Sequence, residues 1–150
     1  MKLSPYFASG HFIAAVLFGI FAWVQVNDID PAIYHEPSSF DALLWFSFYL
    51  LIAILFVVSV FCKVSAAILI VALTSCVVEM VITGPGLFQN IFGEEDFSMT
   101  QVSMTAENPR VELTREFFGA LIAFTAVFYL FMRRRTTAKQ EPQKSRNSGS

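Results

Sequence analysis

Apolar residues gather along this chain into four long blocks, roughly 9–26, 42–62, 64–83 and 117–132. Runs such as Ala53-Ile54-Leu55-Phe56-Val57-Val58 show no two-residue alternation, so half-buried strands and a β-barrel are excluded. Blocks of this length predict membrane-spanning helices, since a bilayer core takes about 20 apolar residues per helix, with a range of ~17–25. In lipid a helix satisfies its own backbone hydrogen bonds. The last block reaches that length only if it starts near residue 114. Lys2 and the first block resemble a secretory signal, but the block runs out in Val24-Gln25-Val26-Asn27-Asp28 with no small-x-small cleavage site. An uncleaved first span is the expectation.

Composition agrees with this pattern. The chain is 55% hydrophobic and only 15% charged. A water-soluble domain of this size would have too little polar surface to cover so much apolar material, whereas lipid covers the outside of a bundle. The predicted fold is therefore an all-α, four-helix transmembrane bundle occupying 1–135, followed by a polar tail at 136–150. The tail has little apolar area to bury and is expected to be disordered.

Charge adds direction. If both termini and the Cys62-Lys63-Val64 link share a side, that side holds eight of the ten basic residues, and only Arg110 and Arg115 lie opposite. A Lys/Arg excess marks the cytoplasmic face, so both termini are expected inside, in a plasma membrane or a bacterial inner membrane. Eleven of the twelve acids do not follow the basic residues: ten lie in the outer connections or the mouths of the spans, and Glu79 lies within one. Acids contribute little to topology, so the outer excess needs another cause. Trp23 and Trp45 near the outer ends, and Tyr6 and Tyr129 near the inner face, suit headgroup-level rings.

The connections carry further expectations. The tight link after span two predicts that spans two and three are antiparallel neighbours. Gly10 with Ala14, Ala15 with Gly19, and Gly119 with Ala123 are small-residue pairs suited to close helix approach. The outer loop 84–113 opens on Gly84-Pro85-Gly86, a helix stop. Leu87, Phe88, Ile91 and Phe92 then fit a short interfacial helix, and Val102 and Met104 fit a short strand.

Candidate chemistry collects at the outer end. Gln25, Asn27, Asp28 and Asp30 close span one, and Glu112, Arg115 and Glu116 open span four, spaced to share a helix face. Glu79 is an ionisable group within a span, a functional candidate by default. Arg115 is its nearest basic residue and expected partner; the plainer alternative is a carboxyl that merely ties two helices together. The outer carboxylates match no complete calcium loop, and His11 and His35 fall on opposite faces, so no metal site is expected. Phosphate loops, H-E-x-x-H, nucleophile elbows and C-x-x-C are all absent from the sequence. Neither a catalytic residue nor a cofactor site is therefore assigned.

Two of these segments resemble a known family, the transmembrane protein 220 family of small four-span membrane proteins. Gln25-Val26-Asn27-Asp28-Ile29-Asp30-Pro31 followed by Tyr34 is similar to its Q-x-N-D-x-D-P pattern and trailing aromatic. Arg115-Glu116-Phe117-Phe118-Gly119 is similar to its R-E-F-x-G. The family often has Pro where this chain has Ile29, and Glu79 is outside the pattern. The resemblance implies a multi-pass membrane protein and carries no assigned activity.

Two functional classes lead, with an enzyme using the outer carboxylates as a third. One is a non-enzymatic accessory or interaction subunit whose acidic outer face meets a membrane-protein partner or a second copy. The other is a small transporter or channel component with Glu79 and Arg115 in a polar path. The bilayer is the expected environment, and no nucleic-acid partner is expected.

Overall fold

A computed structural model gives the conformation of the chain and describes residues 5–26, 29, 33–35 and 38–147. The described residues form four α-helices: α1 (Pro5–Gln25), α2 (Ser39–Phe61), α3 (Ala66–Phe92) and α4 (Arg110–Asn147). All four are long and apolar enough to cross a membrane, over Phe7–Gln25, Ser39–Phe61, Ala66–Phe92 and Arg110–Arg134. Their outward side chains are greasy: Ile13 and Val81 are each 70% exposed. In water such a surface would drive aggregation; in a bilayer it is ordinary lipid contact.

The core joins all four helices and is built around Phe18, Tyr49, Ile52, Phe56, Leu69, Cys76, Ala123 and Val127. Phe18 stacks on Tyr49 and Phe56 at ring separations of 6.4 and 6.1 Å. Along α4, Ala120, Ala123, Val127 and Leu130 form one buried stripe. Lipid tails are as apolar as these side chains, so association here depends on close packing more than on escape from water. Gly119 shows the closeness: a methyl group added there would collide with the Tyr49 hydroxyl. Gly10 and Gly19 face open space within this chain, whereas their pair mates Ala14 and Ala15 pack in the core; only in the pair Gly119 with Ala123 do both residues serve an internal contact.

Close packing is concentrated in two pairs, α1 with α2 and α3 with α4, with a narrower contact between α2 and α4. The expected pairing of spans two and three does not occur. Cys62 and Ser65 are both in extended backbone. Four extended residues reach up to ~13 Å, more than the ~8–10 Å between packed helix axes, so the short link carries the chain sideways.

Helix boundaries differ most around the third connection. Gly84-Pro85-Gly86 does not end α3, which continues nine residues past Thr83 to Phe92 with Pro85 inside it. Pro85 removes one helical donor, a loss tolerated in membrane helices where neighbouring groups compensate. Gly86 contributes the packing that holds the helix on course, because the Leu113 side chain of α4 fills the space a Cβ would need. The expected interfacial helix is thus the last two turns of α3. α4 starts at Arg110, earlier than 114, and its backbone runs on to Asn147. The expected disordered tail is helical for most of its length, since extending a formed helix avoids the nucleation penalty. Val102 lies in a 3-10 turn, Gln101–Ser103, and the sole bridge among the described residues joins Thr105 and Asn108.

Contacts define the two ends of the bundle. At one end His11 of α1 meets Arg133 of α4, with Nη1 donating to Nε2 at 3.0 Å, and Arg133 lies 4.8 Å from the Phe7 ring centre. Arg133 can only donate, and the Phe7 carbonyl, 2.7 Å from His11 Nδ1, can only accept. These bonds therefore select the tautomer with its proton on Nδ1. The opposite end carries the α1–α2 and α3–α4 connections and is called the loop end below.

Candidate functional site

The loop end is organised around a buried arginine. Arg110, at the start of α4, is 6% exposed. Its Nη2 and Nε donate to Glu95 Oε2 at 2.7 and 3.2 Å, and Nη1 donates to the Asp96 carbonyl at 3.0 Å and to Asn90 Oδ1. Asn90, fully buried on α3, donates through Nδ2 to the Ser98 carbonyl at 2.6 Å and to Thr114 Oγ1 at 3.0 Å. The Ser98 amide returns a bond to Asn90 Oδ1 at 3.2 Å. Asn108 Nδ2 donates to Glu95 Oε1 at 2.7 Å. These bonds tie the connection 93–109 to both helices. Side-chain amides here do the work that strand pairing does in other loops.

A second tie crosses the bundle. The His35 amide donates to Glu112 Oε2 at 2.8 Å, and His35 Nδ1 donates to the Ala106 carbonyl at 2.8 Å. The α1–α2 connection is thereby held against α4 and the α3–α4 connection.

Between these ties lies a cleft of about 420 Å³. Gln25, Phe21 and Tyr34 line it from the α1 side, Trp45 and Tyr49 from α2, and Glu112, Arg115, Glu116 and Phe118 from α4. Met99 and Met104 of the α3–α4 connection also reach it, and Ile20, Val24 and Ile122 extend it along the helices. Arg115 is half-buried and donates from Nη1 to Met104 Sδ at 2.8 Å. A thioether is a weak acceptor, so most of this guanidinium's hydrogen-bonding capacity remains unused by the thioether.

Of the residues singled out in the sequence, Gln25, Glu112, Arg115 and Glu116 meet at this cleft. Asn27, Asp28 and Asp30 lie outside the described residues. Glu79 is elsewhere. It sits half-buried at the middle of α3, and no ion pair to Arg115 is formed. Helix register explains the separation. Gly86 faces Leu113, and Asn90 faces Arg110 and Thr114, which places Arg115 near the level of Pro85. Glu79 is six residues deeper, or about 9 Å at a rise of ~1.5 Å per residue. The expected pairing assumed that α3 ends near Thr83.

Sequence reasoning missed Asn90, Glu95, Arg110 and Thr114, and the aromatic walls of the cleft. Two signals were present. Asn90 is a polar residue inside the helical-period run Leu87 to Phe92, and Trp45 and Tyr49 are four apart on one helix face. Trp45 is buried and stacks on Tyr49 at 5.7 Å, so it serves the cleft wall; Trp23, 70% exposed, is the lipid-facing ring expected of an interfacial anchor. Among the described residues no three His, Cys, Asp or Glu side chains gather as metal ligands.

Four apolar helices around one core, with polar ties confined to the connections and helix ends, define a multi-pass helical membrane protein. A family model described as "Transmembrane family 220, helix" matches residues 17–132. The chain belongs to that family. No curated protein and no solved structure matches it.

Proposed function

We propose that this protein is a non-enzymatic accessory or interaction subunit, with both termini in the cytoplasm and the loop end outside. The observation that carries the reading is the Arg110 network. It converts the long α3–α4 connection from a tether into a fixed surface. That surface displays Glu94, Glu95, Asp96 and Glu107 beside exposed Phe97 and Val102, the latter 96% exposed. A rigid patch mixing carboxylates with apolar side chains suits recognition of a partner carrying basic residues around an apolar centre. The basic residues at the opposite end support the orientation.

Purification of a tagged chain from its host in mild detergent tests this reading. A second membrane protein should co-purify stoichiometrically, and Phe97→Ser with Val102→Ser should release it without lowering the chain's thermal stability. Recovery of the chain alone counts against the proposal. Orientation has a separate test: Val102→Cys should react with an impermeant maleimide on intact cells, and Ser145→Cys only after permeabilisation.

A second reading, a small transporter or channel component, draws support from Glu79, a half-buried acid at mid-span. Four spans enclose little space, so a pore would require several copies. Flux through reconstituted vesicles that is abolished by Glu79→Gln would favour it.

A further inference from the structure

We propose that the loop-end cleft seats the headgroup of a zwitterionic phospholipid, one that couples a phosphate to a primary ammonium. The lining sets the chemistry. Arg115 brings a half-buried guanidinium whose thioether contact leaves most of its donors for another acceptor. The planar fork of arginine matches phosphate oxygens two at a time. Glu112 and Glu116, one helical turn apart, line the same cleft. Two carboxylates against one guanidinium leave the cleft net negative when all three are ionised. A simple anion is therefore disfavoured, and the ligand must bring a positive group with its phosphate. Tyr34 and Trp45 also line the cleft, and an aromatic face beside an ammonium adds attraction.

The apolar part of the lining selects a lipid over a soluble zwitterion. Ile20, Val24 and Ile122 continue the cleft down α1 and α4. They are 54%, 46% and 45% exposed, so this strip opens onto the hydrocarbon around the bundle. An acyl chain can lie along it while the headgroup stays among the polar side chains. The cleft volume of about 420 Å³ falls within the ~300–1,000 Å³ of ordinary ligand sites. It accommodates a headgroup and leaves the tails in the membrane. This inference is independent of the partner-binding reading, which rests on the outer surface of the 93–109 connection.

Native mass spectrometry of the full, delipidated chain tests it. The chain is offered equal amounts of phosphatidylethanolamine and phosphatidylglycerol with matched acyl chains. The wild type should retain about tenfold more phosphatidylethanolamine, the ratio that ~1.4 kcal/mol gives. Glu116→Gln should abolish the preference, Arg115→Gln should lower retention of both lipids through the lost phosphate contact, Arg115→Lys should restore part of that retention, and Glu79→Gln should leave both intact. Circular dichroism melts establish that each variant is folded; retention lost through unfolding is distinguished by the Arg115→Lys rescue. Equal retention of the two lipids by the wild type overturns the proposal, as does a preference that survives Glu116→Gln or a retention that Arg115→Gln leaves unchanged. Glycerophosphoethanolamine provides the remaining arm. If it raises the melting temperature as much as the diacyl lipid at equal concentration, the ligand is a soluble zwitterion and the lipid assignment fails.

Discussion

Replacing Arg110 by Ala should be among the most damaging single changes at the loop end. The side chain is 7% exposed and makes four hydrogen bonds of two kinds, two to Glu95 and two to Asn90 and the Asp96 carbonyl. The Glu95 side chain is 61% exposed. Water can replace the guanidinium there, so that half of the network contributes only ~0–1 kcal/mol. The inner half behaves differently. Asn90 Oδ1 keeps only the Ser98 amide, and the Asp96 carbonyl loses its guanidinium donor. The buried Asn90 acceptor costs about 1–3 kcal/mol when weakened, and the part-buried Asp96 carbonyl, which water can reach, costs about 1 kcal/mol or less. The inner half thus sums to about 1–4 kcal/mol for Arg110→Ala, against under ~1 kcal/mol for Glu95→Gln. Equilibrium unfolding in detergent micelles measures both, and limited proteolysis of 93–109 shows whether the loop opens first. Equal losses for Arg110→Ala and Glu95→Gln would refute the reasoning, because they would locate the stabilisation in the exposed ion pair.

Other outcomes follow from the same contacts. Gly119→Ala should destabilise the bundle by about 1–3 kcal/mol through overpacking, and a Tyr49→Phe background should relieve much of that loss; strict additivity of the two changes in thermal melts would contradict the close approach. Glu79→Gln and Arg115→Ala should have additive effects on unfolding, within ~0.3–0.5 kcal/mol, since the two side chains form no pair; a large coupling energy would show that they do. Asn90→Leu, close in volume but without hydrogen bonds, should lose about 2–4 kcal/mol because it strands Arg110 and Thr114, whereas Asn90→Asp should be tolerated better through its charge attraction to Arg110, both read by the same unfolding assay.

The number of the helices was legible because apolar blocks of spanning length have few other uses. Convergence of Gln25 with Arg115 and Glu116 was legible for a topological reason: the end of the first span and the start of the fourth must lie on one side. Lateral arrangement was not legible. A link as short as Cys62-Lys63-Val64 suggests neighbours, yet with extended backbone at Cys62 and Ser65 it need not fold the two helices together. The end of α3 was misplaced because Gly84-Pro85-Gly86 is a stop signal in water, while a packed neighbour such as Leu113 carries a membrane helix through it. That one displacement moved Glu79 from the mouth of the bundle to its middle and removed its expected partner. Asn90 and Arg110 escaped notice because their partnership spans twenty residues and no local period signals it.

The convergence of two distant chain segments on one cleft is tested most directly by cross-linking in native membranes. With Cys62 and Cys76 replaced by Ser and Ala, the pair Gln25→Cys and Glu116→Cys should be joined efficiently by a short bifunctional thiol reagent. The pair Gln25→Cys and Glu79→Cys, at different depths, should not. Cross-linking of the second pair and not the first would contradict the cleft and the helix register that builds it.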